Sequence, residues 1–225
     1  MRLTSLFPVC VALMALASCV DSIPQDDSAR IFAMGDSMLS WGSGRGSSIP
    51  DELSDDLAEP VVSRARLGAQ MISAQGAGSL GYNIPKQYAA GPWEWVVMSG
   101  GGNDLFFGCD CQDCDALLDR LISPQGTQGA IPSLISQVRS RGARVVYIGY
   151  LPSPGVASIA DVCVDEAIVL EDRLMRLAAT DNGMTYLSFA SMVPFGDKSY
   201  HVGDVVHPSL KARKEIASQI ADVIR

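Results

Sequence analysis

Five short, mostly apolar runs separated by segments of helical period constrain this chain more than any other feature. Ile31–Met34, Val61–Ala65, Trp95–Ser99, Val145–Tyr150 and Thr185–Phe189 are too short for stable helices and read as buried strands. Between them, Asp51–Ala58 repeats Leu53 and Leu57 at helical spacing, and Gln128–Ser140 puts Ile131, Leu134, Ile135 and Val138 on one face. Asp165–Ala179 and Leu210–Ile224 are amphipathic in the same way, with Pro60, Gly142 and Gly183 as stops. Parallel strands need crossovers, and crossovers are usually helices, so the pattern predicts a three-layer α/β/α sandwich around a five-stranded parallel sheet. With 225 residues, 48% of them hydrophobic, the chain suits one domain, placed here at residues 29–225.

The residues before that domain read as an export signal. Arg2 precedes the apolar run Leu3–Ala17, which is too short to span a bilayer but has the form of a signal-peptide core. Leu16-Ala17-Ser18-Cys19 resembles the bacterial lipobox, while Ala15-Leu16-Ala17 also fits ordinary secretory cleavage. Ordinary cleavage leaves an odd set of cysteines, whereas lipidation of Cys19 leaves Cys109, Cys111, Cys114 and Cys163, which can pair in an oxidising compartment. The reading is a signal peptide over residues 1–18, a lipid anchor at Cys19, a polar tether over residues 19–28, and a protein of the cell envelope facing the periplasm.

Charge removes one class of partner. The formal net charge is -8, and no stretch supplies the basic footprint that nucleic acid requires. The acidity itself reads as solubility.

The first strand ends abruptly in Gly35-Asp36-Ser37, so a buried strand delivers a serine to the crevice edge of the sheet. A serine hydroxyl is a weak nucleophile at neutral pH and needs a histidine base, a group to orient that base, and donors for the oxyanion. Only His201 and His207 are available. His207 follows Asp204 by three residues, close enough for the carboxylate to fold back on the imidazole in a turn; His201 lacks such support and reads as a structural or rim residue. The third strand likewise ends in glycines, before Asn103, whose neutral amide can donate without titrating.

In order along the chain, Gly35-Asp36-Ser37, Gly68, Gly101-Gly102-Asn103-Asp104 and Asp204-Val205-Val206-His207 resemble the four blocks of the SGNH (GDSL-type) hydrolase family. The resemblance implies an ester substrate and hydrolysis through an acyl-serine on Ser37, with His207 as base and Asp204 as its orienting carboxylate. It also implies an oxyanion hole formed by the N–H groups of Ser37 and Gly68 and the amide of Asn103, with no metal or organic cofactor. Met38 stands where the family motif has leucine, a change that nearly keeps volume behind the nucleophile. The second block is the least specific, and Gly76 or Gly78 competes with Gly68 for its role. Asp36 and Asp104 read as loop braces rather than reacting groups.

Gly76-Ala77-Gly78-Ser79-Leu80-Gly81 has dinucleotide-binding spacing but lacks the preceding strand and the acidic ribose ligand, and reads as a loop. Trp41–Ser48 lacks a P-loop lysine and reads as a wall near the active site, with Arg45 placed to meet an anionic substrate.

The spacing of the four downstream cysteines is too compressed for two zinc knuckles, which leaves disulfides as the reading. Cys111–Cys114 with Cys109–Cys163 is one natural arrangement of the three possible, and a direct Cys109–Cys111 pair is the least plausible bond. Two readings from other classes remain: an envelope protein that binds an acylated glycan or lipid without turnover, and a thiol-redox protein using Cys111 and Cys114.

Overall fold

The computed structural model describes residues 28–72, 82–155 and 158–225. The signal peptide, the Cys19 anchor, all of the tether but Ser28, and the competing Gly76 and Gly78 therefore lie outside the described residues.

The strands are β1 (Ile31–Met34), β2 (Val61–Ser63), β3 (Trp95–Met98), β4 (Arg144–Ile148) and β5 (Met184–Leu187). All neighbours pair in parallel, in the order β2-β1-β3-β4-β5. This is the expected five-stranded sheet, and its order carries a consequence. The chain moves outward from β1 on one side and from β3 on the other, so a crevice opens beyond the carboxyl ends of these two strands.

Side-chain alternation divides the core in two. Phe32 and Met34 of β1, Val96 and Met98 of β3, and Val145 and Tyr147 of β4 point to one face. There they meet α5 (Asp115–Leu121), α6 (Ala130–Arg139) and α7 (Val164–Thr180). Ile31, Ala33, Trp95, Val97, Val146 and Ile148 point to the other, against α1 (Ser37–Ser40), α2 (Ile49–Leu57) and α8 (Leu210–Ile224). Because both faces are covered, every residue of β1 and β3 is buried, which is why these strands read as continuous apolar runs rather than alternating ones.

The long helices lie where their periodicity predicts them. α2 starts earlier than its apolar spacing suggests, because Ser48 and Asp51 form a reciprocal capping box and Pro50 is tolerated in the first turn. α8 begins after Ser209, whose Oγ accepts from Ala212 N at 3.3 Å. Two short helices, α3 (Ile84–Gln87) and α4 (Gly102–Gly108), complete the set together with α5.

The cysteines form two disulfides, Cys109–Cys114 and Cys111–Cys163, with Cα separations of 5.5 and 4.9 Å. The arrangement Cys111–Cys114 with Cys109–Cys163 is not the one adopted. Asp110, Cys111 and Asp113 all take left-handed backbone conformations, coiling the chain tightly between α4 and α5. Cys111 N donates to Leu105 O at 3.1 Å, folding this cysteine back into the core, where it bonds Cys163 at the start of α7. Cys109 and Cys114, which flank the coil, close on each other. Cys111 and Cys114 do not pair, so the thiol-redox reading loses the bond it requires.

Candidate active site

The switch-point crevice gathers the polar residues that follow β1 and β3. Ser37 is the first residue of α1 rather than part of an open loop. Its predecessor Asp36 caps this one-turn helix by accepting from Met38 N at 3.0 Å. Met38 is buried behind the serine with Leu39. Gly35 is required by close approach: a Cβ there would lie 2.3 Å from Ser99 Oγ and 2.8 Å from Ser99 O. The Gln87 amide grips the same residue from both sides, accepting from Gly35 N at 2.7 Å and donating to Gly35 O at 3.0 Å.

Asp36 is fully buried and serves as a brace. Its Oδ1 accepts from Ser99 Oγ at 2.9 Å, while Ser99 Oγ accepts from Asp36 N at 3.2 Å. Its Oδ2 accepts from the hydroxyl of Tyr150, which in turn accepts from Gly102 N at 2.9 Å. Burial pushes the Asp36 carboxyl above the ordinary carboxylate range, against the opposing hydrogen bonds from Tyr150 and Ser99. Burial and the neighbouring Asp36 together push the Tyr150 phenol well above its usual value. A continuous path of hydrogen bonds thus ties the residue before Ser37 to the residue before Asn103.

Asn103 and Asp104 lie in the first turn of α4 and hold the chain that follows β2. Asn103 Nδ2 donates to Ala69 O at 3.0 Å, and Asn103 O accepts from Gln70 Nε2 at 3.1 Å. The two Asp104 carboxylate oxygens accept from Met71 N at 2.8 Å and Ile72 N at 2.6 Å. Burial raises the Asp104 pKa to about 6, with the two backbone donors opposing and the Asp36 charge adding to the rise. Gly68, immediately before Ala69, is thereby held beside Asn103 with φ +77°, a left-handed conformation that glycine adopts without strain. Asp36 and Asp104 brace their loops through backbone hydrogen bonds, as their sequence positions suggest, and Asp36 extends the brace to side chains 63 and 114 residues away.

Asp204 and His207 occupy the turn before α8. Asp204 Oδ2 lies 2.6 Å from His207 Nδ1, while its Oδ1 accepts from Val206 N at 2.9 Å and His207 N at 3.0 Å. Burial alone would raise the Asp204 pKa, but the hydrogen bonds from the His207 ring and the two backbone N–H groups outweigh it and hold the carboxyl below its ordinary value. The turn is strained at Val205, a β-branched residue at φ +57°. It is closed by Val205 N to Val202 O at 3.0 Å and Val202 N to His207 O at 2.9 Å.

Trp41 connects the two turns. Its N–H donates to Ser37 O at 3.0 Å, and its ring stacks on the His207 imidazole with centroids 3.9 Å apart and planes 8° from parallel. The signal for this contact is the spacing of Ser37 and Trp41, four residues apart and therefore on one face of any helix they share. His201 is buried, and burial lowers its pKa against the pull of Asp204, which fits a structural role. Ser99, Tyr150 and Gln87 carry no local sequence signal, because each reaches the site from a different element.

The Asp204–His207 pair suits general acid–base chemistry. One carboxylate fixes the imidazole proton on Nδ1, which leaves Nε2 as the acceptor. Neutral donors sit at the amino end of α4 and in the Gly68 segment.

A model of the GDSL-like lipase/acylhydrolase family matches residues 33–214. No curated protein matches the chain. Among solved structures, a candidate SGNH hydrolase from Slackia heliotrinireducens shares 20% identity and a TM-score of 0.61, covering 88% of this chain and 100% of that one. A candidate acylhydrolase from Bacteroides fragilis shares 17% identity at TM-score 0.61, covering 90% and 89%. A GDSL-like lipase from Bacteroides thetaiotaomicron shares 14% at TM-score 0.57, covering 91% and 93%. At these identities the likeness is one of fold.

Proposed function

The chain belongs to the GDSL-like lipase/acylhydrolase family, a family of carboxylic ester hydrolases, and from that premise we propose that it cleaves esters of small or medium acyl groups through an acyl-Ser37 intermediate. The observation that carries this reading is the 2.6 Å contact of Asp204 Oδ2 with His207 Nδ1, together with the stacking of that imidazole on Trp41, one helical turn from Ser37.

On this reading, cleavage runs in two halves, acylation and deacylation. His207 Nε2 takes the Ser37 proton as Oγ attacks the carbonyl carbon, and Asp204 stabilises the imidazolium that forms. The N–H groups of Ser37 and Gly68 and the Asn103 amide receive the oxyanion, each such donor being worth about 3 kcal/mol of barrier. Collapse expels the alcohol, protonated by His207. Water then enters, gives its proton to His207 and releases the acid as Ser37 is restored.

The N-terminus supports a further part of the reading. The chain is exported and tethered to a membrane through lipidated Cys19, a placement in keeping with its two disulfides. Metabolic labelling with radioactive palmitate, compared between the parent and Cys19→Ala, tests this directly; equal labelling of both rejects the anchor.

Hydrolysis of a p-nitrophenyl acyl series by the purified protein and by Ser37→Ala tests the chemistry. Turnover that disappears with Ser37, alongside fluorophosphonate labelling of the parent alone, is the expected result. A folded parent that neither turns over an ester nor takes the label is instead a binding protein for acylated glycan or lipid.

A further inference from the structure

A groove of ≈ 770 Å³ opens beside the candidate active site, with Trp41 and Leu67 at its near end. Its walls combine apolar surface from Leu67, Tyr82 and Leu210 with three arginines, Arg45, Arg66 and Arg213. Among the described residues that line it, none is acidic. On a chain of net charge -8, that is a local reversal of sign.

Five arginines among the described residues pair with a carboxylate, as Arg30 does with Glu59 and Glu94, and Arg173 with Asp119. No carboxylate among the described residues lies within ion-pair distance of Arg45, Arg66 or Arg213. Arg213 is 93% buried, since only 7% of its surface is exposed. Its Nη1 donates to Pro208 O at 2.7 Å and its Nη2 reaches Ser47 Oγ at 3.4 Å, while its Nε has no partner among the described residues. Burial weighs most against the Arg213 cation; the charge of Glu52, which also lies 4.0 Å from Lys214, favours it, and the charge of Arg45 opposes it. Two like charges facing one space are relieved by an anion in that space.

The groove also has the right address. Arg66 N donates to Gly35 O at 3.0 Å, so Arg66 rides directly on the turn that presents Ser37, two residues before Gly68. Arg45 ends the 3₁₀ turn Ser43–Arg45 that follows α1. A guanidinium fork matches the planar oxygens of a carboxylate or phosphate, and an exposed one keeps its charge at any physiological pH.

We propose that this groove receives an anionic group of the ester substrate, a carboxylate or phosphate, with Arg45 and Arg66 at its mouth and Arg213 at its floor. The inference rests on the serine-hydrolase reading and narrows it to amphiphilic anionic esters. The apolar walls take the hydrocarbon part of such a molecule, and the arginines select its charge.

Two substrate pairs test the proposal and show on which side of the ester bond the charge lies. For the acyl side, 4-nitrophenyl hydrogen glutarate is compared with 4-nitrophenyl pentanoate; for the alcohol side, 4-butanoyloxybenzoate is compared with phenyl butanoate. The expected result is an anionic-to-neutral ratio of kcat/KM of about tenfold or more in one pair, falling to unity or below in Arg45→Gln/Arg66→Gln. A ratio near unity in both pairs, or one that survives the double substitution, overturns the proposal while leaving the hydrolase reading intact. If no ester is turned over, the hydrolase reading fails, and the groove is judged by calorimetry with inorganic phosphate and glutarate. Saturable binding that is lost in the double variant then supports an anion site, and its absence overturns one.

Discussion

The turn that carries Ser37 and the turn that carries His207 face a common crevice but are built in opposite ways. The serine turn is held from a distance: Ser99, Gln87 and Tyr150, each from a different part of the chain, converge on Gly35 and Asp36 in a largely buried network. The histidine turn is held chiefly from within, by one carboxylate that bonds two N–H groups and the ring of residues no more than three positions away, with Ser158 Oγ on Val205 O and the Trp41 ring as its distant contacts. A nucleophile must sit at a fixed place relative to the oxyanion donors, and only long-range contacts can fix one loop against another. A base needs chiefly the correct tautomer and ring orientation, which a local turn supplies. The structure accordingly places its buried, costly polar groups under the serine and leaves Asp204 partly exposed.

If this division is right, substitutions in the two turns separate activity from stability. Asp204→Asn is expected to lower kcat by about 10³- to 10⁴-fold, because an amide that donates to Nδ1 favours the tautomer with its proton on Nε2, where a base cannot accept one. Its melting temperature should stay within a few degrees of the parent's. A large loss of stability in thermal melts would show that the histidine turn is structural after all.

Asp36→Ala should do the reverse. It strands Ser99 Oγ, the Tyr150 hydroxyl and Met38 N in the interior, at a cost of about 3 to 4 kcal/mol of folding stability. Urea unfolding measures this, and Tyr150→Phe should show a smaller loss. A near-neutral Asp36→Ala would mean that water takes over the network.

The two regions also respond oppositely to pH. Asp104, next to the buried network, has a folded pKa of about 6 against 3.8 for an ordinary aspartate, so between those values the native state holds a proton that the unfolded chain has released. Its contribution to stability is present below pH 3.8 and lost as pH rises through about 6, a swing on the order of 3 kcal/mol at 1.36 kcal/mol per pKa unit. Asp204, held below its ordinary value, contributes in the other direction: its part is present above the ordinary value and lost as pH falls through the folded one. The stability of Asp104→Asn relative to the parent should therefore rise between pH 4 and pH 7. A constant difference across that range would remove Asp104 from the titration.

Trp41→Ala is expected to have the smallest effect, about a tenfold loss in kcat with KM little changed, because the stacked ring only restrains an imidazole that Asp204 already orients. Rescue by Trp41→Phe would mark the contribution as stacking rather than bulk.

What was legible in the sequence follows the same division. β1 and β3 are buried on both faces, so their apolar runs announced themselves, and α8 runs over the residues its periodicity predicts, Leu210–Ile224. The Asp204–His207 turn was legible because its interactions are local. The network under Ser37 was not, since nothing about Tyr150 or Ser99 in isolation points to a carboxylate 114 or 63 residues away. α4 and α5 are too short, at seven residues each, for their helical period to stand out, and tertiary contacts rather than propensity sustain helices of that length. The disulfide pairing depended on three left-handed residues between α4 and α5, a property of the folded backbone with no reliable mark in side-chain type.

That pairing has a consequence for how the molecule is made. The bonds Cys109–Cys114 and Cys111–Cys163 interleave: one partner of each lies between the partners of the other along the chain. Thiols joined simply in chain order would give neither native bond. The native set is therefore written after the α4–α5 coil has brought its thiols together, or is reached by thiol exchange from an earlier pairing.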